Sequence, residues 1–258
     1  MAQRVSNSPR AVVPAETSRD SALGLQFSAL GPRPILSAVL DGASLGPDPG
    51  ARAHELFSHG VDWIQLRDRS LTDDALWKIV RALEEARAEV AAVFAQGSAL
   101  TSHRAPRVLL NKRIDLARAA NTGGVHLGFD SLTPSVSRTF LGNGSLIGLS
   151  LHSVDEVEAV SKERRSEAPH YVHLAPIWTP RSKAATRPAL GLGQLVEACR
   201  FGVCVIAQGG LDEQRAADSI KAGAAGVALS GGLMSSSDLP RTVRGLRHSL
   251  DQAALSVK

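Results

Sequence analysis

The chain has 258 residues, 43% hydrophobic and 21% charged, a balance that can fill a sizeable core and excludes disorder throughout. Its formal net charge of +4 is scattered along the sequence rather than gathered into a stripe. That argues against nucleic acid as a partner and suits a small anionic ligand. No apolar run approaches the roughly 20 residues needed to span a bilayer, so no membrane partner is expected.

In chain order, residues 1–34 come first and mix Arg, Ser, Asn, Pro and Ala without periodicity. They are expected to form a disordered or loosely ordered extension. Glu16 and Asp20 count against a transit peptide, and no secretory apolar core follows Arg4 or Arg10. From Ile35 to residue 252, short β-rich runs alternate with segments of helical spacing. The predicted strands are Ile35–Leu40, Val61–Leu66, Arg107–Asn111, Gly124–Leu127, Leu146–Ser150, Tyr171–Leu174, Val203–Ala207 and Gly226–Ser230.

Helical spacing is clearest over Thr72–Val90, where Ala75, Leu76, Ile79, Val80 and Leu83 share a face and Thr72 is the predicted N-cap. Part of the stretch from Ala91 to Pro106 reads as its continuation. Further helices are predicted to start at Ser153, with Glu156 at capping-box spacing, and near Asp212 and Asp238. Eight strand–helix units imply parallel pairing, and closure would remove both sheet edges. The expected fold is therefore α/β, a single (β/α)8 TIM barrel. Cys199 and Cys204, the two cysteines, sit in apolar company and read as reduced, packed thiols of a cytoplasmic protein.

In such a barrel, chemistry belongs just past the carboxyl ends of the strands. Gln65, Arg67, Asp68 and Arg69 follow the second strand, Asn111, Lys112 and Arg113 the third, Ser150 and His152 the fifth. The connection over residues 176–190 is rich in Pro, Thr and Arg and carries Lys183. Strands seven and eight end in Gly209 and Gly210 and in Ser230, Gly231 and Gly232. Backbone amides at such glycines approach an anion closely, and the last two strand ends are a frequent phosphate site. His152 is a candidate proton shuttle. His126, His170 and His173 lack zinc-ligand spacing, so no structural metal is expected, and His126 reads as packed or hydrogen-bonded.

The stretches Trp63–Arg69, Leu110–Ala117, Gly124–Gly128, Gly148–Ser153, Tyr171–Ile177, Leu190–Leu192, Ala207–Gly210 and Ala225–Ala228 together resemble the thiamine phosphate synthase and TenI family of thiamin-biosynthetic barrels. In the synthase branch, a Gln-x-Arg-x-Lys stretch, an Asn and a lid lysine hold a pyrimidine diphosphate, and a glycine pair binds a thiazole phosphate. The resemblance places these roles on Gln65, Arg67, Arg69, Asn111, Lys183, Gly209 and Gly210. Ser230 and Gly231 join them as phosphate contacts and Lys112 as a substrate contact.

Synthases hold magnesium with an Asp directly after that Asn and another after the Gly-Val-His-Leu-Gly stretch; here those positions are Lys112 and Ser131. An ammonium cannot ligate a cation, and a hydroxyl is a neutral ligand only. Asp130 and Lys112 are the candidate replacements. The TenI branch lacks the metal pair and contains thiazole tautomerases, whose histidine corresponds to His152. The favoured expectation is thus a metal-independent tautomerase acting on a small-molecule thiazole phosphate, with His152, Ser150 and Lys183 as catalytic candidates and no cofactor. The alternative is a synthase, with magnesium as its cofactor. A third reading is a non-catalytic phosphate-binding barrel. Homo-oligomerisation is compatible with each.

Overall fold

The computed structural model describes residues 30–31, 33–96, 104–142, 144–179, 187–234 and 236–257. Most of the expected extension over residues 1–34, and Lys183 on the expected lid, lie outside them.

Eight strands, β1 (Ile35–Leu40), β2 (Trp63–Leu66), β3 (Arg107–Asn111), β4 (Gly124–Leu127), β5 (Leu146–Leu151), β6 (Tyr171–Leu174), β7 (Val205–Gln208) and β8 (Gly226–Leu229), form a closed barrel in sequence order. Every neighbouring pair is parallel, and closure is made by β1 on β8, with Ile35 opposite Gly226. The expected (β/α)8 barrel is the observed fold.

The helices are α1 (Gly42–Leu45), α2 (Pro49–Ser58), α3 (Asp73–Gln96), α4 (Ile114–Ala119), α5 (Pro134–Leu141), α6 (Val154–Ser161), α7 (Gly191–Cys199), α8 (Glu213–Lys221), α9 (Gly231–Met234) and α10 (Leu239–Leu255). Their starts follow side-chain chemistry: Ser153, Asp212 and Asp238 each accept from the amide three residues on, satisfying an otherwise unpaired donor. Thr72 does the same for Ala75 ahead of α3.

Some boundaries differ from expectation. Strand β2 starts at Trp63 rather than Val61 because the Val61 amide is tied back to the Leu56 carbonyl of α2. Strand β7 is shifted along the chain and ends at Gln208, paired with Ala228. Strand β8 stops at Leu229 because the Ser230 carbonyl accepts from the Leu233 amide and opens α9. The turn expected at Gly231 and Gly232 is therefore the start of a short helix. At the start of α6, Glu156 accepts from the His152 amide instead of closing a capping box on Ser153.

Strand alternation splits the core in two. One set of side chains faces the helices, while Ile35, Val39, Trp63, Leu109, Leu146, Tyr171, Cys204, Ile206 and Ala228 cluster inside the barrel. Trp63 and Tyr171 lie 4.9 Å apart between ring centroids. Their bulk requires a gap on the neighbouring strand β5: a Cβ at Gly148, paired with Tyr171, would stand 2.1 Å from Tyr171 Cζ. Cys199 and Cys204 are free, the latter fully buried, and burial pushes both thiols up to about 12.

At the N-terminal end of the strands, charge is buried and paired. Asp62 accepts from the Leu36 amide at 2.8 Å and from Arg247 at 3.0 Å. Arg247 also reaches Asp251 at 2.7 Å, which Arg33 grips through two guanidinium nitrogens. Arg104 donates to the Arg33 carbonyl at 2.7 Å and stands 3.9 Å from Asp62. Among the described residues, no helix is long and apolar enough to cross a membrane.

Candidate functional site

Above the apolar interior, the next inward residues are polar. Gln65 donates to Asn111 at 3.2 Å across β2 and β3. The His126 ring joins Ser150 Oγ at 2.9 Å and the Tyr171 hydroxyl at 3.2 Å, and His173 stacks on it with centroids 4.1 Å apart. His126 is thus packed and hydrogen-bonded as its sequence context predicts. Burial pushes His173 down to about 3, and burial, with His173 and Arg67 adding to it, holds His126 well below its ordinary value. Both rings are neutral near pH 7, and Ser150 is engaged as a partner of His126.

His152 lies one residue past β5. Its Nδ1 is 2.8 Å from the Ala175 carbonyl. A carbonyl only accepts, so Nδ1 carries the proton and the lone pair of the neutral ring sits on Nε2. Ala175 leads into Pro176, and a Cβ at Gly209 would meet Pro176 at 2.8 Å. His152 and the first diglycine corner therefore flank the same segment. Gly209 and Gly210 have φ of +98° and +62°, a region that other residues enter at a cost. Their carbonyls accept from Trp178 and from Arg215. Among the described residues, nothing accepts from their amides.

The β2 and β3 ends carry the cations. Arg67 and Arg69 are exposed, and no described carboxylate is paired with either. Burial of its inner portion and the like charge of Arg69 lower the Arg67 pKa, with Asp41 opposing. Arg113, by contrast, is paired with Asp73 and Asp115. The loop is shaped by Asp68. Although burial opposes it, bonds from Ser70, Gly42 and Leu71 bring that carboxyl down to about 2. Sequence reading passed over this role, for which the Asp-x-Ser spacing was the available signal.

Lys112 adopts φ 65°. Its amide donates to the His126 carbonyl, its ammonium is bonded to Asp130, and it stands 5.8 Å from the centroid of the Phe129 ring. Gly128 makes the room: a Cβ there would lie 2.9 Å from Lys112 Cε. Ser131 Oγ accepts from the Gly128 amide at 2.9 Å. The two positions that would hold magnesium in a synthase thus carry an ammonium bonded to the nearest carboxylate and a hydroxyl used to shape the loop. These residues do not fit the ion. Among the described residues, no three His, Cys, Asp or Glu side chains are grouped so as to hold a metal.

A closed parallel eight-strand barrel with alternating helices defines a TIM-barrel protein, here with a polar, cationic rim past its strand ends. The sequence profile of the family described as thiamine monophosphate synthase matches residues 36–233, and the chain belongs to that family. A protein from Geobacter sulfurreducens named putative thiamine-phosphate synthase is 31% identical over 212 residues, 82% of this chain and 85% of its own. The thiamine-phosphate synthase of Methanoculleus marisnigri is 32% identical over 195 residues, 75% of this chain and 84% of its own. In fold, the chain is similar to a thiamine phosphate pyrophosphorylase from Pyrococcus furiosus, with a TM-score of 0.69 at 20% identity over 86% of this chain and 98% of that one. The relatives' names favour the transferase expectation over the isomerase one.

Proposed function

We propose that this protein joins a pyrimidine-methyl diphosphate to a thiazole phosphate. The carbon–oxygen bond to diphosphate breaks with its electron pair leaving on the diphosphate, and the thiazole nitrogen lone pair forms the new carbon–nitrogen bond. Gln65 and Asn111 hold the pyrimidine diphosphate at its ring end, and Arg67 and Arg69 take up charge on the leaving group. The amides of Gly209 and Gly210, with Ser230 and Gly231 at the neighbouring strand end, hold the thiazole phosphate. By resemblance, the diphosphate contact made by the synthases' lid lysine falls on Lys183, which lies outside the described residues. The observation that carries this reading is the bonded Gln65–Asn111 pair beside two arginines with which no described carboxylate is paired, in a chain whose relatives bear the synthase name. Incubation with both substrates tests it: thiamine phosphate and diphosphate are expected in equal amounts.

A second reading, a TenI-like thiazole tautomerase, is favoured by one specific observation, the His152 ring anchored through Nδ1 with Nε2 left to move a proton. Conversion of the unaromatised carboxythiazole phosphate, abolished in His152→Ala, would select it. Phosphate binding with neither product would select the non-catalytic barrel.

A further inference from the structure

We propose that Lys112 takes the place of a divalent cation in this protein, with Asp130 serving as a built-in counter-ion that the diphosphate displaces. The inference rests on the synthase reading, since it concerns how that reaction's leaving group is neutralised.

Three observations carry it. The ammonium is placed rather than free: Gly128 leaves space for the Lys112 stem, Phe129 lies alongside it and Asp130 holds its tip. The backbone at Lys112 is in the left-handed region, φ 65°, which a residue with a side chain enters at a cost and which recurs at ligand sites. The ammonium also belongs to a larger patch. Arg69 is close enough to act on the Asp130 carboxylate, and Arg67 is close enough to Arg69 for their like charges to oppose each other. Two cations from adjacent strand ends, Lys112 and Arg69, therefore act on the exposed Asp130 carboxylate, and Arg67 beside Arg69 adds a third positive charge to the patch, an excess suited to an oligophosphate.

In the ligand-free protein Asp130 satisfies Lys112. An incoming diphosphate offers more negative charge and more acceptor oxygens, so the ammonium transfers to it while Asp130, more than half exposed, returns to water. A metal-holding site would use Asp130 in the opposite way, as a ligand whose loss weakens phosphate binding.

Calorimetric titration of the full chain with inorganic pyrophosphate, in chelator and then in excess magnesium, separates the two. In chelator the protein is expected to bind pyrophosphate. Lys112→Ala should weaken binding by about ten- to hundredfold, the loss typical of a charge-assisted contact, and Lys112→Arg should restore most of it. Asp130→Asn should tighten binding severalfold. Binding that requires magnesium, or that weakens in Asp130→Asn, overturns the inference. The product assay in chelator and in magnesium keeps the functional reading separate. Product only with magnesium would sink the lysine substitution and leave the synthase standing. No product under either condition would sink the synthase, and the pyrophosphate titration would still decide the role of Lys112.

Discussion

At the N-terminal end of the barrel, Arg33, Arg104 and Arg247 close around Asp62 and Asp251; at the other end, Arg67 and Arg69 stand in water with no described carboxylate paired to them. The same guanidinium group plays opposite parts. Below, burial raises the Asp62 carboxyl against the pull of Arg104 and Arg247, so the charges cannot be separated without exposing an uncompensated ion. Above, the arginines' hydrogen-bonding capacity is left for something that arrives from outside. Residue type alone does not distinguish these fates: Arg33 and Arg104 precede strands and Arg247 lies on α10, whereas Arg67 and Arg69 follow a strand, and the end of the strand decides.

Substitution of the buried carboxylate should break the comparison most sharply. Asp62→Ala leaves Arg247 with Asp251 alone and takes from Arg104 its buried counter-charge, and should cost about 3–5 kcal/mol, read as a lower urea midpoint, with activity per folded molecule retained. A cost under about 1 kcal/mol would show that the lower cluster is not structural.

Acid should act next, and on the upper end. His126 and His173 are neutral when folded but regain ordinary basicity when unfolded, so the unfolded chain binds more protons below about pH 6.5. Stability should therefore be complete above that pH. It should fall as pH drops toward 4, by up to about 1.4 kcal/mol per pH unit for each ring. Thermal melts from pH 7 to 4.5 test this, and His173→Gln should flatten the profile.

Arg67→Ala should move function and not folding. Pyrophosphate affinity should drop by roughly 1.5–3 kcal/mol while the urea midpoint shifts by no more than about 0.5 kcal/mol. A stability loss comparable to that of Asp62→Ala would erase the contrast between the ends. The smallest effect belongs to Arg52→Ala, whose half-exposed pairing with Glu55 three residues on should be worth under about 0.5 kcal/mol, measured by the same denaturation.

The barrel was legible because each of its determinants is local. A short, nearly continuous apolar run marks a buried strand, as in Ile35–Leu40, and Ser153, Asp212 and Asp238 announce helices through bonds that span three residues. Rim residues were legible from their place after a strand. What stayed hidden depends on partners far along the chain. The stacking of His126 on His173 joins β4 to β6, the room for Lys112 comes from Gly128 on another loop, and Asp68 is fixed partly by Gly42. The start of β2 was misplaced for the same reason, since nothing in the residues Val61 and Asp62 tells that the first is bound to a preceding helix.

Pairing of β1 with β8 has a consequence for how the molecule is made. The first strand to leave the ribosome finds its second neighbour only when the last has been synthesised, so the ring cannot shut during most of translation. Until then the growing sheet carries two bare margins open to other chains. Protection against such encounters by chaperones or by speed of synthesis is therefore a demand that the topology itself places on the cell.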